Sequence, residues 1–99
     1  MLYVIIGRDA PGSLATRRRV RAEHLARARK LADAGRIVLG GPWPAVDSAD
    51  PGEAGFDGSL IVAEFDSIDE ARAWIGADPY VTQGVFESHE VHPFIKVLP

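Results

Sequence analysis

Apolar residues recur in this chain with two periods, one of a strand and one of a helix. Leu2, Val4 and Ile6 alternate with Tyr3 and Ile5, so Leu2 to Arg8 reads as a strand that is apolar on both faces. Past the turn residues Asp9-Ala10-Pro11-Gly12 the period lengthens. Val20, Leu25, Ala28, Leu31 and Ala32 recur at helical spacing between Leu14 and Gly35, a residue type suited to the left-handed position that ends a helix. Arg36 to Gly40 reads as a short second strand and Ser59 to Phe65 as a third, where Leu60 and Val62 alternate with Ile61 and Ala63. Ser67-Ile68-Asp69-Glu70 has the pattern of a capping box and opens a second helix through Ala71, Trp74 and Ile75. Asp78-Pro79 starts a further helical turn over Val81-Thr82-Gln83, and Phe86 to Val97 reads as the last strand.

The predicted order is βαββαβ. Right-handed crossovers then place both helices on one face of a single four-stranded antiparallel sheet, an α+β, ferredoxin-like arrangement. The other face would lie bare, yet the strands are apolar on both sides. Such a face is rarely left in water, which predicts a homodimer packed sheet to sheet. Pro42 to Gly58 forms the longest connection, beyond the ~12–15 residues usual for an unstructured loop. Its apolar anchors Trp43, Val46 and Phe56 predict an ordered lid or a dimer arm.

With 99 residues, 46% of them apolar, residues 1–99 read as a single domain with a core large enough to fold. The absence of cysteine removes disulfides, thiolate nucleophiles and thiolate metal sites and fits a reducing, cytoplasmic setting. No segment has the length of a membrane span or the pattern of a signal peptide, so no membrane partner is expected. The net charge of −3 conceals a basic run, Arg17, Arg18, Arg19, Arg21, Arg27, Arg29 and Lys30. Without interleaved aromatic residues, and in an acidic domain, that run reads as a solvated helix face, and no nucleic-acid partner is expected.

Two polar residues, Arg21 and His24, fall within the apolar stripe of the first helix. A buried imidazole or guanidinium needs a partner or a cavity, since leaving it unpaired costs about 1–3 kcal/mol or more. The stripe therefore points to a pocket beneath the helix. His24 lies ten residues beyond Leu14 and Asp78 eleven beyond Ser67, so both travel about 15 Å from the same sheet edge. Side-by-side helices would bring them level. A carboxylate at the imidazole Nδ1–H fixes the tautomer and leaves Nε2 for proton transfer. His89 and His92 are poorly placed to share an ion, because residues three apart on a strand face opposite ways, so no metal site is expected. Ser59 lacks the glycine-flanked elbow of a nucleophilic serine, and Gly40-Gly41-Pro42 reads as a strand end approached by backbone or ligand.

The opening strand through Asp9, Val20-Arg21 with His24-Leu25-Ala26-Arg27, Gly40-Gly41-Pro42 with Pro44-Ala45-Val46-Asp47, Ala54-Gly55-Phe56 with Gly58-Ser59, Asp78-Pro79-Tyr80, and Pro93-Phe94 with Lys96-Val97 together resemble the YciI-like (YCII-related) family. The resemblance spans essentially the whole chain. It implies a dimeric α/β barrel of ferredoxin-like protomers with a histidine and an aspartate in the active site, here His24 and Asp78. It also implies acid/base chemistry without a metal or cofactor, as in the chloromuconolactone dehalogenases. Fold kinship alone does not transfer a reaction.

The expectation is therefore a cofactor-independent enzyme in which His24 moves a proton on a small polar or anionic molecule and Asp78 orients it. Arg21 would attract a carboxylate, and Gly41, Pro42, Ser59 and Tyr80 would line the cleft. A non-catalytic small-ligand module is the alternative, and a purely structural or regulatory dimer a third.

Overall fold

A computed structural model describes residues 1–99. Its elements are β1 (Leu2–Asp9), α1 (Leu14–Asp33), β2 (Ile37–Pro44), β3 (Phe56–Glu64), α2 (Ile68–Gly76), α3 (Pro79–Thr82) and β4 (Phe86–Phe94), with a single 3-10 turn at Gly52–Ala54. The four strands form one antiparallel sheet in the order β2-β3-β1-β4, the ferredoxin-like topology. Tyr3, Ile5, Ile61, Ala63 and Val91 project from one face into the core, against Val20 and Leu31 of α1 and Ala71 and Ile75 of α2. The alternate residues Leu2, Val4, Ile6, Leu60 and Val62 face the other way, joined by Leu39 and Phe94, which are 53% and 40% exposed.

Local chemistry sets the ends of the helices. Gly35, at φ 73°, takes the left-handed conformation that turns the chain out of α1. Ser67 Oγ accepts from the Glu70 N–H at 3.1 Å and caps α2. The return half of the capping box is displaced: the Glu70 carboxylate accepts from Asp66 N–H and Arg36 Nη2, not from Ser67. Asp78 caps α3, with Pro79 at its first position.

The connection after β2 is shorter than its sequence suggests. Strand pairing continues from Pro42↔Ser59 through Trp43↔Gly58 to Pro44↔Phe56, so only residues 45–55 remain as the hairpin loop. Ala45 N–H donates to Gly55 O at 2.9 Å and closes it. The polar, proline-rich composition concealed strand ends whose hydrogen bonds come from neighbours rather than from local propensity. Similarly, β4 stops at Phe94, and the apolar tail Ile95, Val97 and Leu98 is exposed.

Gly58 is held between the Trp43 ring and the Gly7 carbonyl, where a Cβ would meet both. Gly58→Ala should lower the unfolding free energy by about 1–3 kcal/mol in chemical denaturation. Gly76→Ala, at a helix end with open space around it, should leave stability unchanged or raise it by up to about 1 kcal/mol. Equal effects would contradict the packing described at Gly58.

Candidate active site

Small residues on two facing walls open a cleft of about 210 Å³ between α1 and the β2–β3 side of the sheet. The helix contributes Arg21, Leu25, Ala28, Arg29 and Ala32; the sheet contributes Gly40, Gly41, Pro42, Ser59 and Ile61. Gly40 pairs with Ile61 on the helix-covered face, and a Cβ there would sit 3.3 Å from Ile61 Cγ1. Gly41 adds backbone without bulk. The cleft exists because Ala28 on the helix and Gly40 on the sheet carry too little side chain to fill the space beside Leu25 and Ile61.

This geometry divides the apolar stripe read from the sequence into two. Arg17, Val20, His24 and Leu31 are the buried residues of α1. Leu25 and Ala28 are half-buried cleft wall, while Arg21 and Ala32 are exposed. Arg21 is thus at the cleft mouth rather than in the core, and no carboxylate pairs with it. Adjacent helical rows differ by a rotation of only 40–60° on a helix of 3.6 residues per turn, so one broad stripe can serve core and cleft at once.

At the inner end, His24 Nδ1 is 2.8 Å from Asp78 Oδ1. Asp78 is fully buried, and its oxygens also accept from Tyr80 N–H at 2.9 Å and Arg27 Nη1 at 3.0 Å. A carboxylate only accepts, so Nδ1 carries the proton and Nε2 is the ring nitrogen without a protein partner. The ring stacks on Tyr80 with centroids 3.9 Å apart and planes within 7°, which fixes its rotation. Arg27 is fixed in turn by Trp74 O, at 2.8 Å, and by the Trp74 ring beneath it.

Arg17 forms a second buried cluster. It donates bidentately to Asp9 at 2.8 Å through Nε and Nη2, and Nη2 also reaches Ser59 Oγ at 2.9 Å. Its guanidinium lies against Tyr80, Phe56 and Phe86. Arg17 and Arg27 therefore do not belong to the solvated basic face expected from sequence. The missed signal was phase: Arg17 precedes Val20 by three residues and His24 by seven, on the buried row. Burial pushes the Tyr80 hydroxyl above its ordinary pKa of 10.0, against the opposing pull of Arg17 and Arg21, with Asp78 adding to the rise. Tyr80 is thus a neutral phenol at the cleft's inner wall beside cationic groups.

Fold and cleft together define a class: a small ferredoxin-like α+β protein with a buried histidine–carboxylate pair opening on one cleft. The YCII-related domain matches residues 1–95, and the chain belongs to that family. It is 56% identical over 98 residues to protein YciI of Escherichia coli O6:H1, covering 99% of this chain and all of that one. An uncharacterized protein of Haemophilus influenzae is 44% identical over the same length, again covering 99% of this chain and all of that one. Among solved structures, 5-chloro-2-hydroxyhydroquinone dehydrochlorinase (TftG) of Burkholderia phenoliruptrix AC1100, in complex with 2,5-dihydroxybenzoquinone, superposes with a TM-score of 0.85 at 30% identity, over 96% of this chain and 94% of that one.

Because the folded state holds the Tyr80 proton more tightly than the unfolded chain, the stability this provides is complete below pH 10 and falls as pH rises through the raised value. Alkaline spectrophotometric titration should show a tyrosine ionising late, and Tyr80→Phe should remove that component. A Tyr80→Phe profile identical to the parent's would contradict the burial of this hydroxyl.

Proposed function

We propose that this protein is a cofactor-independent acid/base enzyme, acting on a small polar or anionic molecule, with His24 as the proton-transferring group and Asp78 as its orienting partner. The observation that carries the reading is the 2.8 Å contact between His24 Nδ1 and a carboxylate fully buried and held by two further donors. In this scheme Nε2 takes a proton from a substrate carbon or oxygen, and the imidazolium is stabilised by Asp78. Returning that proton to another atom gives isomerisation. Departure of a leaving group with its electron pair gives elimination, the proton passing afterwards to water. The similarity to a dehydrochlorinase supports the second outcome and a ligand of one-ring size. A cleft of about 210 Å³ suits such a ligand, being smaller than the roughly 300–1,000 Å³ of pockets for drug-sized molecules. Arg21, Gly41, Pro42, Ser59 and Tyr80 line the space in which it would bind.

The working unit of this proposal is a homodimer. Leu2, Val4, Ile6, Leu39, Leu60, Val62 and Phe94 form an apolar sheet face that a second copy, related by a two-fold axis, would cover with the same residues.

His24→Ala should stay folded by circular dichroism and lose proton-transfer activity by about 10²–10⁴-fold. The readouts are chloride release from 5-chloro-2-hydroxyhydroquinone and deuterium uptake from D₂O by small enolisable acids. Equal rates for parent and variant would remove the role of His24. NMR of the His24 ring adds a check, since a ring whose signals do not respond to ligand marks a structural histidine rather than a site residue.

In sedimentation, the parent should have twice the 10.7 kDa chain mass, and Leu60→Asp should move it to the monomer. A parent that sediments as a monomer overturns the dimer.

A further inference from the structure

The charges around the cleft do not cancel. Arg17 is neutralised by Asp9, and Asp78 by Arg27. Arg21 and Arg29 remain, both lining the cleft, with no carboxylate within ion-pair distance and none among the lining residues. Unpaired basic residues are ordinary on an outer surface, and Arg19 and Lys30 on the same helix are examples. Two on the wall of one concavity are different, because low-dielectric walls focus their field on whatever enters. Their positions along α1 also bracket His24, Arg21 three residues before it and Arg29 five after. Eight residues of helix correspond to about 12 Å of rise, too far apart for one compact anion to engage both fully. Between them the walls are apolar: Leu25 and Ala28 on the helix, Gly40 and Ile61 on the sheet.

We infer that the cleft takes an amphipathic dianion, an apolar body between Ala28, Gly40 and Ile61 with one anionic group at Arg21 and a second at Arg29. The inference rests on the same cleft being the site of the proposed chemistry, and it narrows the substrate to molecules such as dicarboxylates or a carboxylate paired with an enolate. Arg21 holds the group next to the reacting atom at His24. Arg29 selects the far end of the molecule, making it a specificity residue that touches no reacting atom.

Calorimetric titration tests this without any turnover. The probes are glutarate and adipate, the matching monocarboxylates pentanoate and hexanoate, and inorganic phosphate. At least one dicarboxylate should bind the parent about tenfold more tightly than its monocarboxylate, the gain of one charge-assisted contact. Arg29→Gln and Arg21→Gln, both at exposed positions, should each reduce that ratio to below about twofold while leaving the fold unchanged. A parent ratio below about threefold, survival of the parent ratio in Arg29→Gln, absence of dicarboxylate binding at millimolar concentration, or phosphate binding as tightly as the dicarboxylate would each overturn the inference. His24→Ala should keep the ratio. A kept ratio without turnover in the parent removes the proposed reaction but not the dianion, and turnover without the ratio does the reverse.

Discussion

The fully buried Asp78 carboxylate is the constraint on which the rest of the site depends. Removing a carboxylate from water costs several kcal/mol even after the protein relaxes, and only good geometry with saturated oxygens offsets it. Asp78 achieves this with three donors from three directions: the imidazole of α1, the guanidinium of α1, and the first turn of α3. Arg27 extends the link to the end of α2 through Trp74 O. One anion thereby fixes how three helices meet, and the orientation of His24 is a consequence of that packing. Losing any one donor leaves a charge less than fully compensated in a dry place, which is why such clusters are rigid.

The basic run of α1 does three jobs that its composition does not distinguish. Arg17 and Arg27 are buried or half-buried against aromatic rings, where a planar, weakly hydrated guanidinium can stack and donate at once. An ammonium could not replace either without losing the fork. Arg21 and Arg29 stand at the cleft, and Arg18 reaches only the exposed Glu53. Burial decides which of these ion pairs matter: the exposed one is worth little in water, whereas the buried pairs are costly to break.

Much of this was legible in the sequence where local physics dominates. Alternation marked the strands, Gly35 and Ser67 marked helix ends, and Asp78-Pro79 marked the start of α3. His24 stood out because an imidazole on an apolar row needs a reason. What was not legible depended on partners in other elements. The extension of β2 to Pro44 rests on hydrogen bonds to β3, not on its own glycines and prolines. Arg17 owes its burial to Asp9, on a different element, so it looked like one more surface charge. The cleft itself is a need of His24 on the sequence, but its walls are defined by what is missing at Ala28 and Gly40, and absence of volume carries little sequence signal.

Strand β2 connects the two faces of the molecule. Register irregularities between Ile37 and Leu39 and between Trp43 and Pro44 bracket its glycine pair, and such bulges bend and twist an edge strand locally. Gly40 and Pro42 face the cleft, whereas Leu39 and Trp43 face the open apolar side, where the Trp43 ring packs over Gly58. A side chain at Gly58 would move that ring and with it the strand that forms one cleft wall. The small residues on both sides of β2 are therefore coupled: those under Trp43 let the strand sit close to β3, and those opposite α1 keep the space above it open. Cleft shape is in this sense a property of an edge strand with two packed surfaces, and any contact that covers the open face bears on the wall that faces His24.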